Sequence, residues 1–282
     1  MRTDAQLHVW EADRPDRPWA HEHRPQLPEP FTIERAIALL DENGVDRAVL
    51  VPPMVSGFNN DTANAYALDG AAAHPDRFVV MGRFDPRPPD ARERLEQWLE
   101  QPGMRGVRFS LEGPPAPQLI EDVALDWFWP EAERLGVAVY FLRPGRPEDI
   151  ADVAARHPDL RIACNHLALG GARSPDALAA HVEKLAALVP HQNVAITISS
   201  LWGSSQAGYP YTDIHDSIRR VYDLFGASRL AWATDYTAAR GRLGDAVTYP
   251  MLRDFVEIAL SALSAAERDD IFGGTISRLL RW

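Results

Sequence analysis

Eight short runs rich in β-branched and aromatic residues recur along the chain, and a stretch of different period follows each one. The runs are AQLHVW (5–10), RAVLVP (47–52), RFVVMGRF (77–84), GVRFSL (106–111), VAVYFL (137–142), RIACNHLA (161–168), NVAITISS (193–200) and RLAWATDY (229–236). Between them lie helical patterns. TIERAIALLDEN (32–43) opens on Thr32, and DARERLEQWLEQ (90–101) stops ahead of Pro102-Gly103. SPDALAAHVEKLAALV (174–189) has Ser174 as cap and Pro175 at the first helical position, and DIHDSIRRVYDLF (213–225) ends at Gly226. Ser264 and Glu267 have the spacing of a capping box. Gly44 and Gly136 stand between a helical stretch and a strand, where a left-handed residue closes the helix. Strands that alternate with helices pair in parallel, because each crossover brings the chain back to the starting edge. Eight such units in 282 residues predict an α/β fold, a (β/α)8 TIM barrel, as a single domain over 1–282. An open doubly wound sheet would place a glycine-rich phosphate turn after its first strand. EADRPDRPW (11–19) has no glycine there.

Composition narrows the partners. The formal net charge is -11, which repels phosphate backbones and argues against nucleic acid. A local arginine cluster can still hold a small anionic substrate. Cys164 is the one cysteine, so no internal disulfide forms, and a reducing compartment is the simplest reading. MRTDAQLHVW lacks the apolar core of a signal peptide, and no apolar run nears the length of a membrane span. The expectation is a cytoplasmic protein without a membrane partner, with a homo-oligomer left open.

Barrel strands are buried on both faces, so polar residues late in a strand need an explanation. Gln6 and His8 share one face of the first run, with Leu7 and Val9 on the other. Arg108, His166 and Asp235 lie late in the fourth, sixth and eighth runs. Taken singly, His166 is a hydrogen-bonded core histidine, Gln6 a buried amide, Arg108 half of an ion pair and Asp235 a cap on the next turn. Their coincidence at one end of a closed barrel favours a site, since buried polar groups cost stability unless they satisfy one another. Tyr140, Arg143, Trp10 and Trp202 are further candidates for lining its mouth. Cys164 lies two residues before His166, on the same face by the strand period, and reads as packing, with no adjacent base. The proline-rich segment 11–31, with Trp19, His21 and His23, would overhang the mouth, together with LWGSSQAGYPYT (201–212) and TAARGRLGDAVT (237–248).

Taken in order, Asp-x-Gln-x-His-x-Trp (4–10), GVRFSL (106–111), CNHLA (164–168), YPYTDIHDSIRRVYDLFGASRLAWATDYT (209–237) and IFGGTISRLLRW (271–282) resemble the amidohydrolase superfamily. The likeness is to the branch with 2-pyrone-4,6-dicarboxylate lactonase, sugar-acid lactonases and related isomerases, and it spans nearly the whole chain. It implies a (β/α)8 barrel, with His8 as the second histidine of the opening motif, His166 as the later strand histidine and Asp235 at the end of the eighth strand. Gln6 departs from the first histidine. A glutamine offers only a neutral carbonyl oxygen, a weaker zinc ligand than imidazole. No lysine suggests itself for a carbamate bridge between two metals. The resemblance also implies that this barrel opens a lactone without metal, so no cofactor is expected to be required, with a single divalent ion such as zinc as the alternative.

The chemistry expected is hydrolysis of a carboxylated lactone or similar activated ester. Asp235 would act as general base on water, with His8 and His166 donating to the oxyanion and Gln6 adding one more donor. Arg108 would fork onto a substrate carboxylate, and Tyr140 would bond a hydroxyl or carboxylate. Three alternatives stand beside this: a metal-dependent decarboxylase of a carboxylated ring, a lactone isomerase, and a non-catalytic barrel that binds a ligand.

Overall fold

The computed structural model describes residues 1–19, 25–53, 61–111 and 125–282. Among them eight parallel strands form one sheet in sequence order. They are β1 Thr3–Leu7, β2 Arg47–Leu50, β3 Phe78–Gly82, β4 Met104–Ser110, β5 Ala138–Leu142, β6 Ile162–Cys164, β7 Val194–Ile198 and β8 Leu230–Trp232. All eight fall within the runs expected from sequence or overlap them. The ring closes just beyond β8, where the Asp235 backbone N–H donates to the Gln6 carbonyl at 3.2 Å. The outcome is the (β/α)8 barrel.

The helices form where their caps lie. Thr32 accepts from the Arg35 N–H at the start of Ile33–Glu42, and Ser174 accepts from the Ala177 N–H ahead of Pro175–Lys184. Ser264 and Glu267 make the reciprocal capping box. Gly44 and Gly136 take left-handed φ values of 62° and 68°. Two stretches expected as single helices tighten into a 3₁₀ turn part-way: Ala91–Glu96 gives way to Trp98–Glu100, and Pro175–Lys184 to Leu185–Leu188. The segment after the eighth strand, expected as a loop, contains the helix Tyr236–Leu243.

The core has two shells. Outward strand side chains such as Leu7, Phe109, Phe141 and Trp232 pack under the helices, with Phe109 and Phe128 edge to face at 4.8 Å between centroids. Inside the ring lie Ala5, Val49, Val79, Met81, Ala138, Tyr140, Ala163 and Ala231, which Ile276 and Leu280 join. Two shells of apolar side chains hold the strands on both faces and leave one end of the ring for polar residues. No helix among the described residues is long and apolar enough to cross a membrane.

Candidate active site

Local irregularities in the strands aim the polar side chains. In β1 the register runs Thr3 with Arg47 and Asp4 with Ala48, then Leu7 with Leu50. Three steps along β1 thus match two along β2. The extra residue lets Ala5 pack inside the ring while Gln6 and His8 also face inward, as bulges beside active sites commonly do. Leu7 and Val9 point out into the helical shell. Beyond the ends of β6, β7 and β8 the chain leaves extended geometry. His166, Ser200 and Asp235 have φ values of 50°, 61° and 50°, the left-handed region that non-glycine residues rarely occupy. Such strain persists only where the surroundings impose it, and it gathers at functional sites. Here it turns three polar side chains into one cavity.

That cavity has a volume of about 460 Å³, and its lining includes Gln6, His8, Arg83, Arg108, Ser110, His166, Ser200 and Asp235, together with Gln26, Arg173, Ala238 and Arg242. Gln6, His8, Arg108, His166 and Asp235 are all at most 9 % exposed, so each must find its partners inside the protein. His8 Nδ1 lies 2.6 Å from the Val51 carbonyl, which can only accept, so the proton sits on Nδ1. His8 Nε2 lies 3.2 Å from Asp235 Oδ1. Ser200 donates to the other carboxylate oxygen at 2.9 Å. His166 meets Ser199 Oγ through Nδ1 at 2.6 Å and the Gln6 amide nitrogen through Nε2 at 3.0 Å. Arg108 donates through Nε to Ser110 at 3.0 Å and through an Nη to the Asn165 side-chain oxygen.

Electrostatics separates the two main titrating groups. Burial drives the His166 imidazole down to about 3, against the opposing pull of Asp235, so the ring is neutral near pH 7. For Asp235 burial acts upward. The hydrogen bonds from His8 and Ser200 and the interaction with both imidazoles outweigh it and hold the carboxyl below the ordinary carboxylate range.

Four candidates from the sequence lie elsewhere. Tyr140 does face inward, but one layer below the cavity, and its hydroxyl donates to the Ala5 carbonyl at 2.8 Å. Arg143 is held by Asp149 at 2.7 Å. Trp10 packs beside Phe31 in the outer shell, with its backbone N–H on the Phe31 carbonyl. Trp202 is buried in the same shell, with the Arg242 guanidinium over its ring. Cys164 is packing, as expected, but on the outer side. It does not share a face with His166, because the left-handed turn at His166 breaks the two-residue period. Of the overhanging segment, His21 and His23 lie outside the described residues, while Gln26 reaches the cavity.

Sequence reading also missed residues. Arg83 carried a signal, since it continues the inward alternation Val79, Met81 along β3. Asn165 follows inward-facing Ala163 in the same way. Ser200, Arg173 and Arg242 sit on turns and a helix with no such period.

Among the described residues no three His, Cys, Asp or Glu side chains are arranged to hold an ion. The fourth neighbour of His8, His166 and Asp235 is the Gln6 –NH₂ group, which has hydrogens to give and no lone pair to share. As arranged, the donor set does not fit a metal.

Known proteins similar to this chain in sequence or in structure point the same way on family. L-fucono-1,5-lactonase of Burkholderia ambifaria is 30% identical over 251 residues, 87% of this chain and 84% of that protein. An amidohydrolase of Burkholderia multivorans solved with bound Zn superposes with a TM-score of 0.84 at 21% identity, covering 100% of this chain and 99% of the other. A "probable 2-pyrone-4,6-dicarboxylic acid hydrolase" of Acinetobacter baumannii, solved with citric acid bound, gives 0.78 at 18% identity, with 100% and 99% covered. The amidohydrolase family model matches residues 3–282, and the chain belongs to that family.

Proposed function

We propose that residues 1–282 form one catalytic unit, which hydrolyses a lactone carrying at least one carboxylate and requires no metal. The observation that carries this reading is an ionised, buried carboxylate, Asp235, at the floor of a cavity whose lining includes Arg83, Arg108, Arg173 and Arg242. An overall acidic protein that gathers four guanidinium groups around one cavity is suited to an anionic small molecule. The lactonase relative supports ring opening, and the citrate-bound neighbour supports a carboxylated ligand.

In this scheme water approaches the lactone carbonyl above Asp235. The carboxylate takes one water proton, and the oxygen bonds to the carbonyl carbon. Negative charge then develops on the carbonyl oxygen. Beside that charge stand His8 Nε2, held 3.2 Å from Asp235, and the Gln6 amide, which adds a fixed dipole. His166 accepts from Gln6 through Nε2, so it holds the amide in place and does not donate to the substrate. Collapse breaks the ring C–O bond, and the proton on Asp235 passes to the departing alkoxide. The product is an open hydroxy acid. Arg108 already spends Nε and one Nη on Ser110 and Asn165, so the mouth arginines Arg173 and Arg242 take the larger part in holding the carboxylate.

The test is Asp235→Asn assayed on a panel of carboxylated lactones. Turnover should fall about 10²- to 10⁴-fold, the usual worth of a general base, with the fold intact by circular dichroism. Wild-type rates in that variant would remove the base. Product analysis separates the rivals, because a decarboxylase releases carbon dioxide and an isomerase leaves the ring closed.

A further inference from the structure

The direction of the Gln6 amide is dictated by a residue two steps away. Arg108 carries only donors. Its Nη bonds the Asn165 side-chain oxygen, so the Asn165 nitrogen is the atom that faces Gln6, where it donates to Oε1 at 3.0 Å. The Gln6 nitrogen is thereby turned the opposite way. It stands 3.0 Å from His166 Nε2, 3.3 Å from His8 Nε2 and 3.4 Å from Asp235 Oδ1. Both imidazoles are fixed from behind, by Val51 and Ser199, so neither can swing its Nε2 away at little cost.

We infer that the Gln6 –NH₂ group takes the place of a metal ion among His8, His166 and Asp235, and that Asn165 is the positioning residue that keeps it there. One hydrogen goes to the neutral His166 ring and the other to the Asp235 carboxylate. Zinc needs lone pairs at about 2.0–2.2 Å, and this arrangement presents hydrogens at the centre of the three side chains. The polarity follows from residue types. Arg108 must donate, the Asn165 amide has one accepting and one donating end, and so Gln6 must accept on one side and donate on the other. Asn165→Asp reverses it: both side-chain oxygens then accept, the Gln6 amide turns over to donate, and Oε1 faces the imidazoles as a possible ligand. The inference rests on the metal-free part of the proposed function and does not depend on a lactone being the substrate.

The test is zinc binding by the full chain without substrate, by equilibrium dialysis followed by metal analysis. His8→Ala identifies the zinc held at this site. Wild type should hold none that His8→Ala removes. Asn165→Asp and Gln6→His should each bind one zinc per chain, where wild type binds none, the first by turning the Gln6 oxygen inward and the second by adding an imidazole ligand. That zinc should disappear when His8→Ala is added. Site zinc in wild type, or no gain in either folded variant, would overturn the inference. Should both variants fail to fold, wild type suffices. In glutamine-labelled protein the Gln6 –NH₂ signals, assigned by their contacts with the two imidazole rings, should be unmoved by equimolar zinc. Their shift or loss would overturn it equally.

Discussion

Thr234 is joined twice to Asp4: its backbone N–H donates to Asp4 Oδ1 at 3.0 Å, and its hydroxyl donates to Oδ2. The Tyr249 hydroxyl and the Gln6 N–H donate to the same carboxylate at 2.9 and 3.1 Å. This clasp ties the first strand to the end of the eighth, directly beneath Gln6 and Asp235. It closes the barrel at the point where the site is built.

Asp4 should make stability depend on pH. Burial is the largest influence on its carboxyl and, against four hydrogen bonds, raises it to about 6. The native state therefore holds this proton more tightly than the unfolded chain does. Below the unfolded value near 3.8 the contribution is fully present, and it is lost as pH rises through about 6. A shift of that size corresponds to about 3 kcal/mol. Urea denaturation of wild type from pH 4 to pH 8 should show the decline, and Asp4→Asn should flatten it. An unchanged slope in the variant would assign the pH dependence to another group.

Tyr140→Phe tests the layer beneath the cavity. The hydroxyl is committed to the Ala5 carbonyl and does not line the cavity. Its removal should cost about 1–3 kcal/mol of stability, the usual penalty for leaving a buried group without its partner. The KM for the lactone should not change. A raised KM at unchanged stability would instead place the phenol in contact with substrate.

The pattern behind these contrasts lies in what a period of two can convey. Alternation of β-branched residues marks strands, and it placed all eight, along with the inward faces of Gln6, His8 and Arg108. It gives no height along the barrel, so Tyr140 read as a mouth residue although it stands one layer down. It also assumes extended backbone. The left-handed turns at His166 and Ser200 break that assumption, which is why Cys164 faces away from His166 and why Ser200 carried no signal. Trp10 lies past the end of β1, where the chain turns toward Phe31, and a large aromatic there looks alike whether it lines a pocket or packs a core.

Arg242 should discriminate among substrates. It is exposed at the mouth over the Trp202 ring, at 6.0 Å from the centroid, and lines the cavity with Arg173. Arg242→Gln removes the charge and keeps much of the stem. A carboxylated lactone should show a KM about tenfold higher, equivalent to about 1.4 kcal/mol, with kcat little changed. A neutral sugar lactone should show no change in KM. Equal losses on both substrates would mean that the arginine shapes the mouth through packing and does not read the carboxylate.

Gly106→Ala tests how tightly the inner shell is closed under the site. A Cβ at this position would lie 2.1 Å from the Ala138 carbonyl on the paired strand β5 and 2.7 Å from Met81 Cε. The methionine can move, but the carbonyl is part of the sheet. The Gly106 carbonyl also accepts from the Trp98 indole at 3.0 Å, so shifting the strand disturbs the outer shell too. Overpacking of this kind costs about 1–3 kcal/mol. For a chain of this size that lowers Tm by roughly 2–12 °C. Because Arg108 is two residues along the same strand, the variant should also raise KM below its melting range, as the strand shifts the guanidinium away from Asn165. A variant with wild-type Tm would show that β4 and β5 stand farther apart than the close approach at Gly106 requires.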